Sequence, residues 1–375
     1  MAYNGIKTWQ TVSSRVLDVY FPKQRFLCEG PGRRTIMANS SCSNAYPSTD
    51  VLYIEVQDDL ASIVLFVIVC FMVVVCLGVY AEELIFLRRV NGWGTKSRRV
   101  ATILGLHPVT IISAFLAVMV PKSTLFVDFV ASCYLTVCYY TFFNIVIGYF
   151  GDENKMVEYF QGDKIQTSVP PCCCCCCCVL KPRILTLNSL LVFKYLTLQV
   201  VYVRPILLFI ALVLWTDGKF VSGLISADTS YIYIMVLTSV STLFSLYGTF
   251  VVHRASAPHL QQYRIMNKFL SIQLVLVLSN MQGLLFSSLA ANGIPGCIQS
   301  RGPIPRANAL NHFALIIETF LLCLLARRAY RMDERNIPKP TKSHAKDFAV
   351  TAFTDVIVKE PSCPHMSDVT VIESS

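Results

Sequence analysis

Two charges stand inside long apolar runs: Arg204 in "QVVYVRPILLF" and Glu318 in "LIIETFLLCLL". An ionised side chain at bilayer depth is costly, so by default it marks a solute pathway, a relay or a paired contact. A guanidinium there offers planar, bidentate contacts to sulfate or carboxylate. Polar residues recur at helical spacing around both charges. Asn188, Tyr195, Gln199 and Tyr202 share one helix face, as do Cys133, Thr136, Tyr140 and Asn144, then Gln273, Asn280 and Ser287, then Asn311 and Glu318. Four such stripes predict an interior polar surface, with Arg204, Glu318, Gln199, Tyr202, Asn144 and Asn280 as its candidate pathway residues. The bland rival is that polar side chains merely glue helices together, with Arg204 and Glu318 as a structural pair. Arg204 projects roughly opposite the Asn188–Tyr202 stripe. Pro205, which removes a helix hydrogen bond, is expected to kink the helix and turn Arg204 toward a cavity. Lys194 is expected to snorkel to an interface, and Asp128, near a helix end, to be solvated. His107-Pro108 is a similar break.

A second chemistry lies in "SVPPCCCCCCCVLKPRIL", seven consecutive cysteines. Their fate depends on the side of the membrane they occupy. The chain has 375 residues, 54% hydrophobic and 15% charged, which is more apolar than a soluble protein. A crossing helix needs about 20 mostly apolar residues. Seven stretches qualify, at 61–80 and roughly 100–120, 124–150, 186–215, 229–251, 268–290 and 308–326. The fold class is therefore an all-α membrane protein, a bundle of seven transmembrane helices. Its expected divisions are an extracellular N-terminal segment 1–58, a seven-span domain 59–330, and a disordered cytoplasmic tail 331–375.

Lysine and arginine in short loops set the orientation. The first, third and fifth loops and the start of the tail hold fifteen of these residues against four in the alternate loops. The N-terminus is then outside and the C-terminus cytoplasmic. Asn39-Ser40-Ser41 is a glycosylation sequon on the outer side, and Cys28 and Cys42 lie where a disulfide persists. The net charge of +9 reflects loop bias, and no nucleic-acid partner is expected. The cysteine run falls in a cytoplasmic loop just before the fourth span. The cytosol is reducing, and adjacent cysteines do not wrap one metal ion. Cys172, Cys173, Cys174, Cys175, Cys176, Cys177 and Cys178 are instead expected to accept palmitate, pinning the loop to the bilayer.

The proline-led cysteine run before a span resembles the alpha subunit of the organic solute transporter family. "QVVYVRP" at 199–205, "AEE" at 81–83, "LAANGIPGC" at 289–297 and "LIIETFL" at 315–321 are similar to that family's segments. The resemblance covers about 60–330. It implies an alpha subunit that pairs with a small single-span beta subunit. The pair would move conjugated steroids and bile acids across the plasma membrane, independently of sodium or ATP. The expected partners are the lipid bilayer, organic anions, the beta subunit and further copies of the alpha subunit. No cofactor, metal or catalytic residue is expected: GxxxxGK[ST] and HExxH motifs are absent. The alternatives are a seven-span receptor and a membrane-trafficking or structural protein. "NIVIGYFGDENK" lacks the receptor Asp/Glu-Arg-Tyr, and "FLLCLLARRAYR" lacks Asn-Pro-x-x-Tyr.

Overall fold

The computed structural model describes residues 44–57, 60–160, 164–165, 167, 183–297 and 301–332. Asn39, Cys28, Cys42 and the Cys172–Cys178 run lie outside the described residues.

Seven helices are long and apolar enough to cross a membrane. The first span is Leu60–Asn91. The second is two helices, Thr95–Leu104 and Leu106–Met119, meeting at Gly105. The third is Thr124–Phe150 and the fourth Leu187–Thr216. The fifth is Ser230–Ser256, the sixth Ile265–Ala291 and the seventh Pro303–Tyr330. A short helix, Thr49–Gln57, precedes them, and a two-residue antiparallel ladder pairs Lys164–Ile165 with Arg183–Ile184. In hydrocarbon every backbone group must be satisfied internally, so a helix is the only open-ended element that can span.

Local chemistry fixes the helix ends. Thr186 caps the fourth span, its Oγ1 accepting from the Ser189 N–H at 3.2 Å. Pro303 opens the seventh, where its missing N–H costs nothing. Gly105 is required by close approach: a Cβ there would lie 2.2 Å from the Tyr134 hydroxyl. That hydroxyl donates to the Thr102 carbonyl at 2.9 Å, tying the third span to the second at its break.

The third span packs against the second and fourth, the fourth against the fifth, and the seventh against the first, second and sixth. The fifth and sixth spans touch only lightly. The loops rich in lysine and arginine define one end of the bundle. There an aromatic core of Phe142, Phe150, Phe160, Tyr263, Phe269 and Tyr330 fills the interior. At the other, charge-poor end the third to seventh spans leave a cavity.

The fourth and fifth spans meet at Gly248. A Cβ on it would come within 2.9 Å of the Phe193 carbonyl oxygen and 2.8 Å of Thr197 Oγ1. The carbonyl belongs to a helix and cannot move aside. Gly248→Val is therefore expected to overpack this contact by about 1–3 kcal/mol. The readout is a lower melting temperature of the detergent-solubilised protein, followed by fluorescence-detected size exclusion. An unchanged melting temperature would mean that the two helices are not this close.

Candidate functional site

The cavity is about 190 Å³ and is lined from five spans. Asp128 enters from the third, Arg204 from the fourth, Tyr231 from the fifth, Asn280 from the sixth and Asn311 from the seventh. Leu125, Leu208, Phe220, Ile234, Phe286 and Ile304 supply apolar wall.

Arg204 sits at mid-helix. Its Nε donates to Ser132 Oγ at 2.9 Å and its Nη1 to Asn280 Oδ1 at 3.1 Å. Asn280 is itself held, its Nδ2 donating to the Leu276 carbonyl at 2.7 Å and toward Thr242 Oγ1 at 3.4 Å. The guanidinium is thus positioned by neutral acceptors. It forms no ion pair with a described carboxylate, and its Nη2 makes no hydrogen bond among the described residues. Asp128 is the carboxylate whose field acts on it. Asp128 Oδ2 also lies 4.0 Å from Nε2 of the buried His312.

The surround is polar and tied. Tyr139 donates to Gln273 Oε1 at 2.7 Å, and the Tyr231 and Ser287 hydroxyls are 2.5 Å apart. At the mouth, Tyr46 donates to the carbonyl of Ser222, a cavity-lining residue, at 3.4 Å. Burial pushes the Tyr46 phenol up, so it stays a neutral donor at physiological pH.

Of the six residues expected to line a pathway, the structure brings Arg204 and Asn280 together. The other four are corrected. Tyr202 faces outward from the bundle. Gln199 is spent on the fifth span, where it donates to the Ser241 carbonyl and accepts from Ser241 Oγ. Asn144 lies toward the far end of the third span, away from the cavity. Glu318 faces Gln282 rather than Arg204, so the rival reading, a structural Arg204–Glu318 pair, is not what forms. Lys194 reaches the charge-rich end, where it pairs with Glu153 at 2.5 Å.

The reason is an error of facing. In the fourth span Leu190, Thr197, Arg204 and Ala211, at steps of seven, form the interior line. In the third, Asp128, Ser132 and Tyr139 point inward, while Tyr140 points out. Asp128 lies near the start of the third span, its side chain 40% exposed, and lines the cavity; the sequence reading missed Asp128, Ser132 and His312 as site residues. Two opposite charges within apolar spans, Asp128 and Arg204, were the available signal.

The arrangement is that of a polytopic helical membrane protein with a charged cavity among its spans. A family profile described as "Organic solute transporter Ostalpha" matches residues 62–335. Similar proteins include "Organic solute transporter subunit alpha" of Danio rerio, 28% identical over 79% of this chain and 90% of that one. The protein of the same name in Leucoraja erinaceus is 28% identical, over 79% and 82%. That of Homo sapiens is 25% identical, over 71% and 78%. No solved structure matches. The chain belongs to the organic solute transporter alpha family, a family of multi-pass transporter subunits rather than enzymes.

Proposed function

We propose that this chain is the alpha subunit of a facilitative transporter of amphipathic organic anions, such as steroid conjugates and bile-acid-like solutes, working without sodium or ATP. Arg204 carries the reading. It is a fixed cation at bilayer depth, held by neutral acceptors, with one guanidinium nitrogen free toward a cavity. An anionic head group completes its hydrogen bonds and balances its charge. The cavity is smaller than the roughly 300–1,000 Å³ typical of ligand pockets. It takes the head of a conjugate, with the apolar body along Leu208, Phe220 and Phe286.

The charge-poor end faces outside in this reading, supported by the fifteen-to-four loop bias and by the disulfide-bonded state of Cys297 in the last loop at that end. The membrane is the plasma membrane. The relatives' name, subunit alpha, favours a second subunit, and a small single-span beta-type chain is the expected one. Asn39 is the proposed glycosylation site and Cys172–Cys178 the proposed acylated run. Uptake of a labelled sulfated steroid by cells expressing the chain, with and without a beta-type subunit, tests the proposal. Uptake above background is expected only with both.

A further inference from the structure

The polar stripe of the fourth span faces outward, and that placement has a consequence. Asn188, Val192, Tyr195, Gln199, Tyr202, Ile206, Phe209 and Val213 follow alternating steps of four and three. All but the partly buried Gln199 are exposed along the fourth span. This is a heptad seam, the pattern one helix presents to another in a left-handed crossing. Tyr195 is 72% exposed and Tyr202 69%. Neither hydroxyl has a hydrogen-bond partner among the described residues.

Depth makes this informative. Tyr202 stands at the midpoint of the 30-residue span. Tyr195 is one heptad away, about 10 Å along the axis at 1.5 Å per residue. On the adjoining third span Tyr140 is 51% exposed, three residues past the midpoint of Thr124–Phe150. Tyrosine normally faces lipid at the head-group level, where its hydroxyl meets water. In the hydrocarbon the hydroxyl needs another donor or acceptor.

We propose that the outward seam of the fourth span is the docking face for one transmembrane helix of a second subunit. The occupant carries small side chains, which allow close approach. It also carries hydrogen-bond acceptors (Ser, Thr, Asn or Gln) at a spacing of seven, to meet Tyr195 and Tyr202. A second copy docked symmetrically on the same seam fits poorly. It would oppose tyrosine and phenylalanine to tyrosine and phenylalanine, holding the backbones apart. The seam also runs the length of a single helix, matching a single-helix occupant. This inference rests on the second subunit proposed above.

The test is site-directed photocrosslinking of the full chain in cell membranes, co-expressed with an epitope-tagged single-span beta-type subunit. Benzoylphenylalanine is placed at 195, 202 or 206, and at 71 as an exposed control on the first span. Adducts of the combined mass are expected at the three seam positions and not at 71. With the probe at 206, the double variant Tyr195→Phe, Tyr202→Phe should lower the adduct about sevenfold, the effect of losing two typical intramembrane hydrogen bonds. An adduct of twice the chain's mass, equal adducts at 71, or lipid adducts alone at the seam would each overturn the assignment. Solute uptake is read in the same cells. Seam adducts without uptake would count against the transport reading alone, and uptake without seam adducts against the docking face alone.

Discussion

Arg204→Ala is expected to lower the initial rate of organic-anion uptake by roughly ten- to a hundredfold, the equivalent of one charge-assisted contact of about 1.5–3 kcal/mol, with surface level unchanged. The partners explain why the protein should still fold. Ser132 and Asn280 are neutral, and Asn280 keeps its bonds to Leu276 and Thr242 when the arginine is gone. Among the described residues no buried counter-charge lies within ion-pairing distance to be stranded. Arg204→Lys should retain part of the activity, because the charge survives and the fork does not. Asp128→Asn removes a negative charge from the same cavity and should leave anion uptake intact or raise it. Glu318→Gln, outside the cavity, should not reproduce the arginine defect. Surface biotinylation beside initial rates separates these cases. Normal uptake by Arg204→Ala at normal surface level would remove Arg204 from the pathway.

The second large effect concerns the charge-rich end. Glu83 is 1% exposed and lies 3.6 Å from Arg327 Nε and 3.8 Å from Arg331 Nη1. Its neighbour Glu82 meets the same two arginines at 2.8 Å. This network ties the first span to the end of the seventh, and among the described residues no hydrogen bond reaches either Glu83 carboxylate oxygen. The two arginines are what balance a buried carboxylate. Breaking a fully buried pair from one side costs about 3–5 kcal/mol because the other charge is left uncompensated; with Arg327 and Arg331 33% and 40% exposed, that range is the upper bound here. The double variant Arg327→Ala, Arg331→Ala should therefore lose most of its folded, monodisperse population in detergent. Adding Glu83→Gln should restore much of it, since the stranded charge is gone. Failure of that rescue would mean that the arginines act through something other than Glu83.

Much of the fold was legible because length and apolarity alone decide a span. The sixth span, read at 268–290, forms as Ile265–Ala291, and the fourth, read at 186–215, as Leu187–Thr216. The break in the second span was read at His107-Pro108 and falls at Gly105, where a proline puts it: Pro108 has no N–H for the Leu104 carbonyl four residues back, and the close approach of Tyr134 keeps Gly105 without a Cβ. The site was legible in part. A mid-membrane arginine is conspicuous whatever its facing, and Arg204 lies in the cavity. The stripes misled because helical spacing tells which residues share a face, not which way the face looks. In water the apolar stripe points inward. In lipid both faces are apolar, so Tyr195 and Tyr202 outside and Ser132 inside look alike in sequence. Only the interior line of Leu190, Thr197, Arg204 and Ala211 distinguishes them, and those residues are of unlike type.

The proposed gradient-driven pathway for organic anions is centred on Arg204. Its most direct test is flux of a labelled sulfated steroid into vesicles reconstituted with the purified chain and a beta-type subunit, with neither sodium nor ATP present. Uptake is expected to follow the solute gradient in either direction, to speed up when unlabelled conjugate is loaded on the far side, and to collapse with Arg204→Ala. Vesicles that show no flux above protein-free controls, or flux that appears only with sodium or ATP, would contradict it.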